Sequence, residues 1–228
     1  MKIKAIIVDM DGTITNFNLD YMTTRRRILE ELDKKNLRTP DMNDQLSLFI
    51  VLGKLKERLD TDTFAVVRRQ VYSYLEEMEV KAATDVVLYP GAVETLQKLR
   101  DVSVKIGLVT NNGRKGTELT LSRHKLENVF DAIVTRDDCE DMKPSAEPVF
   151  KILAALNATA GDAILVGDGV MDILSAKAAG IISIAVATGP FTTDRLLQAE
   201  PDYLLSSIND LPKLVDTLNE VQTGNASI

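Results

Sequence analysis

The sequence predicts an α/β fold: a doubly wound parallel sheet interrupted by an inserted helical segment. Three observations carry the prediction. Short apolar runs recur along the chain, helical stripes lie between them, and the stretch between the first two runs holds no strand pattern. The runs are Ile3–Val8, Val104–Val109, Ala132–Val134, Ala163–Val166 and Ile181–Val186. They are rich in Ile and Val and largely lack polar alternation, as strands buried on both faces should. Ala92, Val93, Leu96 and Leu99 form one helical stripe, and Val149, Ile152, Leu153 and Leu156 another. Strand and helix in alternation give a parallel sheet covered on both sides.

The insertion breaks that rhythm. From about Asn16 to Leu88 the pattern is helical. A crossover helix needs only about a dozen residues, so this length implies a separate helical subdomain, with residues 1–15 and 89–228 as the core. Tyr21, Ile28, Leu29 and Leu32 mark a first helix, and Gly53 is read as ending a shorter middle one. Phe64, Val67, Val71, Tyr74, Leu75 and Met78 mark one face of a third, with Thr61 as its N-cap. The small, polar tail Gln222–Ile228 is expected to fray.

Composition narrows the class. Of 228 residues, 45% are apolar and 27% charged, which fits a globular protein and excludes a disordered or collagen-like chain. A single cysteine, Cys139, cannot make an internal disulfide and suits a reducing cytosol, so a cytoplasmic protein is expected. No apolar run approaches the roughly 20 residues of a membrane span. The first apolar stretch meets Asp9 and Asp11 before any cleavage-like site, so it reads as a strand and not a signal peptide. Against 27 bases stand 34 acids, a net charge of −7, which argues against nucleic acid or an anionic membrane as partner.

In doubly wound sheets ligands bind beyond the carboxyl ends of the strands. After the first predicted strand comes Asp9-Met10-Asp11-Gly12-Thr13, and after the second Thr110-Asn111-Asn112-Gly113. Lys143 lies in the loop after the third, and Gly167-Asp168-Gly169-Val170-Met171-Asp172 follows the fourth. For any one of these clusters an ordinary turn is the better reading. Four at one sheet edge make that reading poor. Carboxylates gathered in a cleft repel and call for a cation, and an all-oxygen carboxylate set suits Mg²⁺. Lys143, the Thr110 hydroxyl and the backbone N–H groups of Asp11, Gly12 and Asn111 would then cradle an anion. The set suits a phosphoryl group beside a carboxylate nucleophile, though the residues alone do not separate nucleophile from acid.

On these residues the chain resembles the haloacid dehalogenase superfamily of phosphohydrolases. Asp9 to Thr13 match its Asp-x-Asp-Gly-Thr motif, Thr110-Asn111 its second, Lys143-Pro144 its third, and Gly167, Asp168 and Asp172 its Gly-Asp-x-x-x-Asp motif. The resemblance spans Met1 to about Val215 and makes the insertion a helical cap on a Rossmann-like core. It implies that Asp9 attacks phosphorus to form an aspartyl-phosphate. Asp11 would protonate the leaving alcohol and then activate water, its backbone carbonyl also ligating Mg²⁺. Thr110 and Lys143 would hold the transferring group, with Gly12 and Asn111 lining it. Asp168 would ligate Mg²⁺ with Asp9, and Asp172 would belong to the inner or the outer shell.

Departures touch the substrate and not the reaction. Ile14, Thr15, Asn16 and Phe17 replace the Leu-Val-Asp-Ser continuation of many capped relatives, including phosphoglycolate phosphatases. Ala146 stands for a familiar second proline, with Pro148 two residues on, and Gly169 for a frequent serine. The expected activity is hydrolysis of a small phosphomonoester, with phosphoglycolate first by resemblance. The alternatives are a phosphomutase that passes the group to another hydroxyl, and a silent sensor of phosphorylated metabolites.

Other residues read as structural. Arg25, Arg26 and Arg27 cannot share one helix face and read as solvated, as do Arg68 and Arg69. Arg114 could equally reach the phosphate region or sit exposed at a helix start. His124, the only histidine, excludes a His-based triad and reads as structural. Cys139 reads as inert, and Met142 and Phe17 as packing. Between monomer and dimer the sequence does not choose.

Overall fold

The structure, a computed structural model, describes residues 2–224. Its centre is a six-stranded, wholly parallel sheet in the order β3-β2-β1-β4-β5-β6. The strands are β1 (Ala5–Val8), β2 (Lys105–Val109), β3 (Ala132–Val134), β4 (Ala163–Gly167), β5 (Ile182–Val186) and β6 (Tyr203–Leu205). In register, Val8 lies between Leu108 of β2 and Val166 of β4. The chain therefore reverses its direction of winding beside β1, which opens a crevice at the carboxyl ends of β1, β2 and β4.

Alternate side chains of one strand serve opposite cores. Ile6 and Val8 pack with Ala92, Leu96 and Leu99 of a helix on one face, where Leu211 and Val215 also lie. Ala5 and Ile7 pack with Val149, Ile152 and Leu156 on the other. This double burial is why the strands read as continuous apolar runs. The sixth strand is the exception. Tyr203–Leu205 has three residues, exposed to half-buried, too short and too wet to make an apolar run.

Between β1 and β2 lie α1 (Tyr21–Lys34), α2 (Leu48–Arg58) and α3 (Thr61–Ala82). They bury their own apolar cluster, with Ile28 and Leu32 from α1, Val51 and Leu55 from α2, and Val67, Val71 and Leu75 from α3. Two sequence expectations need correction here. The N-cap of α3 is Asp60, whose carboxylate accepts the Thr63 N–H at 2.9 Å. Thr61 is the first helical residue. Gly53 does not end α2 but lies inside it, because burial of Val51, Leu52 and Leu55 outweighs the roughly 1 kcal/mol helix penalty of glycine. The chain leaves and re-enters the sheet region as a paired crossing: Asn16 N–H donates to the Val87 carbonyl and Tyr89 N–H to that of Ile14, both at 2.8 Å.

The remaining helices flank the sheet: α4 (Ala92–Asp101), α5 (Arg114–Arg123), α6 (Glu147–Leu156), α7 (Val170–Ala179), α8 (Thr193–Leu197) and α9 (Leu211–Gly224). In the tail expected to fray, Gln222–Gly224 are helical. Residues 225–228 lie outside the described residues. No helix among the described residues is long and apolar enough to cross a membrane.

Candidate active site

Each sequence-predicted site residue stands at the carboxyl edge of the sheet or in the loops above it. Asp9 continues β1, its N–H donating to the Val166 carbonyl of β4 at 2.9 Å. The next residues turn tightly, with the N–H groups of Thr13, Ile14 and Thr15 all directed at the Met10 carbonyl. Gly12 makes that turn possible. Its φ is +88°, in the region only glycine enters freely, and a Cβ there would run into the carboxylate of Asp168.

Lys143 sits at the centre and is buried. Its Nζ donates to Asp9 Oδ1 at 2.6 Å, Asp172 Oδ1 at 2.5 Å and the Val109 carbonyl at 3.0 Å. All three ammonium donors are thus used. Burial alone would discharge the amine, but the carboxylates of Asp172 and Asp9 outweigh it and hold Lys143 well above the ordinary lysine range. Asp9 is raised above the usual carboxylate range, by burial first, with Lys143 opposing and Asp172 reinforcing.

Asp11 points away from this cluster and has its own partners. Asn112 Nδ2 donates to its Oδ2 at 2.5 Å and the Thr15 hydroxyl to its Oδ1 at 3.3 Å. Burial, aided by the charge of Asp9, pushes it up to about 7. A carboxyl near neutrality two residues from a charged one has the environment of a general acid–base.

Asp168 and Asp172 follow β4. The two oxygens of Asp172 are engaged, one by Lys143 and the other by the Gly169 N–H at 3.0 Å. The Thr13 hydroxyl makes a long contact to Asp168 Oδ1, at 3.5 Å. Burial, then the charges of Asp9 and Asp172, raise it well above the carboxylate range. Oxygens of Asp9, Asp168 and Asp172 lie within 4.8 Å of one another. Hard donors, mutual repulsion and a carboxylate seated where Gly12 and Gly189 leave no room for a Cβ fit a divalent cation such as Mg²⁺.

Thr110 and Asn111 close β2. The Thr110 hydroxyl accepts the Asn112 N–H at 3.2 Å, and Asn111 Nδ2 donates to the Lys143 carbonyl at 3.2 Å. Asn111 Oδ1 is buried with no hydrogen-bond partner among the described residues.

Other expectations divide. Arg114 is turned from the site, its backbone N–H and guanidinium held by Asp137 and Asp138. His124 Nε2 meets the Val86 carbonyl at 3.0 Å, a structural role. Met142 is core packing. Arg26 and Arg69 are exposed, while Arg27 and Arg68 pair with Glu77 and Glu140. Arg25 and Phe17, read from sequence as solvated face and packing, instead line the cavity beside the site. Their segment folds over the strand ends, which helical periodicity alone does not reveal.

Four participants escaped the sequence reading. Asn112 was visible in the second cluster but carried no role. Thr188 and Gly189 follow β5, so reading that strand end as the other four were read would have found them. Thr188 donates to the Gly12 carbonyl. Glu79 had no signal, since a lone acid on an amphipathic helix looks solvated.

Comparison with known proteins agrees with this geometry. A family model described as haloacid dehalogenase-like hydrolase matches residues 6–186. A curated relative, pyrophosphatase PpaX of Bacillus mycoides, is 29% identical over 221 residues, covering 96% of this chain and 100% of its own. A crystal structure described as a predicted phosphoglycolate phosphatase from Haemophilus somnus superposes with a TM-score of 0.65 at 23% identity, covering 94% of this chain and 98% of that one. A phosphonoacetaldehyde hydrolase-like protein from Oleispira antarctica gives 0.72 at 15% identity, covering 96% and 94%. At those identities the two structures speak for the fold. The family match spans the strands that carry Asp9, Thr110 and Asp168, and the chain belongs to the haloacid dehalogenase-like hydrolases, as an enzyme of the phosphatase class.

Proposed function

We propose that this protein hydrolyses a small phosphomonoester with Mg²⁺ bound, through an aspartyl-phosphate on Asp9. The observation that carries the reading is the placement of Asp9 at 2.6 Å from Lys143 Nζ, with oxygens of Asp168 and Asp172 close by. Lys143 keeps Asp9 charged and aimed while leaving its second oxygen free to act.

In the first step that oxygen bonds to phosphorus as the bond to the leaving oxygen breaks, and the Asp11 carboxyl gives its proton to that oxygen. In the second, Asp11 takes a proton from water as the water oxygen bonds to phosphorus. The Asp9–phosphorus bond breaks, and phosphate departs. Thr110 and Asn111 flank the transferring group. The Gly12 N–H, expected from sequence to join the anion cradle, is instead held by the Thr15 carbonyl at 2.7 Å, which leaves that role to the Asp11 and Asn111 N–H groups. Asp9, Asp168 and the Asp11 backbone carbonyl would hold Mg²⁺, with Asp172 acting from outside through Lys143 and Gly169. When bound, the ion offsets the gathered carboxylates and draws charge from the phosphoryl oxygens.

The same reading makes residues 16–88 a cap and residues 1–15 and 89–228 the catalytic core, meeting at the paired crossing beside Thr15 and Leu88. Cys139, single, free and buried, suits a cytoplasmic setting. Phosphoglycolate, from the resemblance, and pyrophosphate, from the name of the curated relatives, belong in the substrate screen.

The test is phosphate release from para-nitrophenyl phosphate and a metabolite panel, with and without Mg²⁺, by the natural sequence and by Asp9→Asn. Metal-dependent release lost in D9N, with an unchanged circular dichroism spectrum, is the expected result. Substantial turnover by D9N would remove the nucleophile assignment.

A further inference from the structure

A cavity of about 510 Å³ opens between α1–α3 and the strand ends, continuous with Asp9 and Lys143. That volume lies in the range of sites for sizeable organic ligands, roughly 300–1,000 Å³. A phosphoryl group fills a minor part of it.

Away from the carboxylates the walls are largely apolar. Phe17, Met22 and Phe191 line this cavity, and they are exposed by 38%, 56% and 43%. They come from three separate places: the segment leaving the core before α1, α1 itself, and the loop after β5. Leu46 and Ile50 add to the same wall. Large apolar side chains converging on one cavity from distant segments mark a binding surface, since scattered exposure would not bring them together.

Cations on this wall are few. Beyond Lys143, which is used by Asp9 and Asp172, those lining the cavity among the described residues are Arg25 and Arg195. Arg25 donates to the Asp44 carbonyl and stacks over the Tyr21 ring at 4.6 Å, and its Nε is buried with no hydrogen-bond partner among the described residues. Arg195 donates to Gln198 Oε1 at 3.2 Å.

We propose that the preferred substrate is a phosphomonoester whose leaving group is a sizeable apolar body, an alkyl chain or aromatic ring. This rests on Asp9 and Lys143 forming the phosphoryl site and adds the chemistry of the leaving group. Each buried methylene should tighten binding about three- to fourfold until the wall is covered.

The test is calorimetric binding of alkylphosphonates, methyl to octyl, to the full chain with Mg²⁺. Phosphonoacetate and methylenediphosphonate serve as probes with a second anion. The expected result is a Kd that falls about threefold per methylene, with both two-anion probes weaker than butylphosphonate. Phe191→Ser and Met22→Ser, at exposed positions the fold tolerates, should flatten the series. A Kd independent of chain length, or tighter binding of either two-anion probe, overturns the inference. Turnover of para-nitrophenyl phosphate is measured alongside. A steep series without turnover removes the catalytic reading and keeps this one, and turnover with a flat series does the reverse. Failure of every phosphonate to bind overturns both.

Discussion

Glu79 of α3 and Arg136, just after β3, form an almost wholly buried ion pair between the inserted helices and the sheet domain. Their side chains are 2% and 1% exposed, and both guanidinium Nη atoms reach the carboxylate, at 2.5 and 3.0 Å. The pair also grips backbone. Glu79 Oε2 accepts the Gly113 N–H at 2.9 Å, and Arg136 Nη1 donates to the Asn111 carbonyl at 3.0 Å. The Tyr72 ring lies 4.8 Å from the guanidinium. The loop so held is the one that presents Asn112 to Asp11.

Removing one member of such a pair strands the other. Glu79→Ala should lower unfolding free energy by about 3–5 kcal/mol, because it leaves Arg136 buried without its counter-charge. Glu79→Gln should cost less, since its amide oxygen still accepts the Gly113 N–H. Urea denaturation with an unchanged m-value checks both, and equal midpoints for E79A and the natural sequence would contradict the prediction.

Asp11→Asn should lower kcat by about 10²- to 10⁴-fold. The loss should be greater for an alkyl phosphate, whose alkoxide needs a proton to leave, than for para-nitrophenyl phosphate, whose phenolate does not. Asn112→Ala, which frees the Asp11 carboxyl, should lower kcat by a smaller factor with KM little changed. Steady-state kinetics on the two esters separates these outcomes. Equal losses on both esters would remove the proton-donor role.

Gly189→Ala should weaken Mg²⁺ binding about 10- to 100-fold, the usual cost of disturbing the support of a metal ligand. The new methyl would overlap the Asp168 carboxylate and displace it. Magnesium titrations followed by thermal melting, on protein stripped with chelator, provide the measurement. Stripping itself should lower the melting temperature, because Asp9, Asp168 and Asp172 then share Lys143 without further compensation.

Burial pushes the Cys139 thiol up to about 11 from an ordinary value of 9.0. The folded protein therefore holds this proton more tightly than the unfolded chain does. Its stabilising effect is complete below pH 9 and is lost as pH rises through 11. At pH 8 a disulfide reagent should modify Cys139 slowly in the native protein and rapidly in urea. Cys139→Ala should lose less stability between pH 9 and 11 than the natural sequence, and parallel curves would contradict this.

Most of the sheet was legible because strands buried on both faces leave runs of Ile and Val that polar surface cannot mask. The motif residues were legible because β1, β2 and β4 each hand the chain to its loop at one edge, so sequence position there translates into spatial position. Tyr203–Leu205 was not, since an edge strand of three half-wet residues has no pattern of its own. Asp60 displaced Thr61 as a cap because two adjacent residues both suit the position, and only the backbone path selects between them.

The sequence by itself determined five strands of the sheet, the helical insertion and the identity of Asp9, Asp11, Thr110, Lys143, Asp168 and Asp172 as a group. Periodicity and local chemistry are properties of neighbouring residues, and they survive in a linear string. Tertiary structure decided that both oxygens of Asp172 are engaged, by Lys143 and the Gly169 N–H, while Asp168 meets the Thr13 hydroxyl. It also decided that Glu79 reaches Arg136, and that Phe17, Met22 and Phe191 face one cavity. Glu79 and Arg136 stand 57 positions apart, and Phe17 and Phe191 174. Those relations depend on how the inserted helices settle over the sheet edge, a placement fixed by burial and charge pairing across the whole fold and encoded in no single stretch of chain.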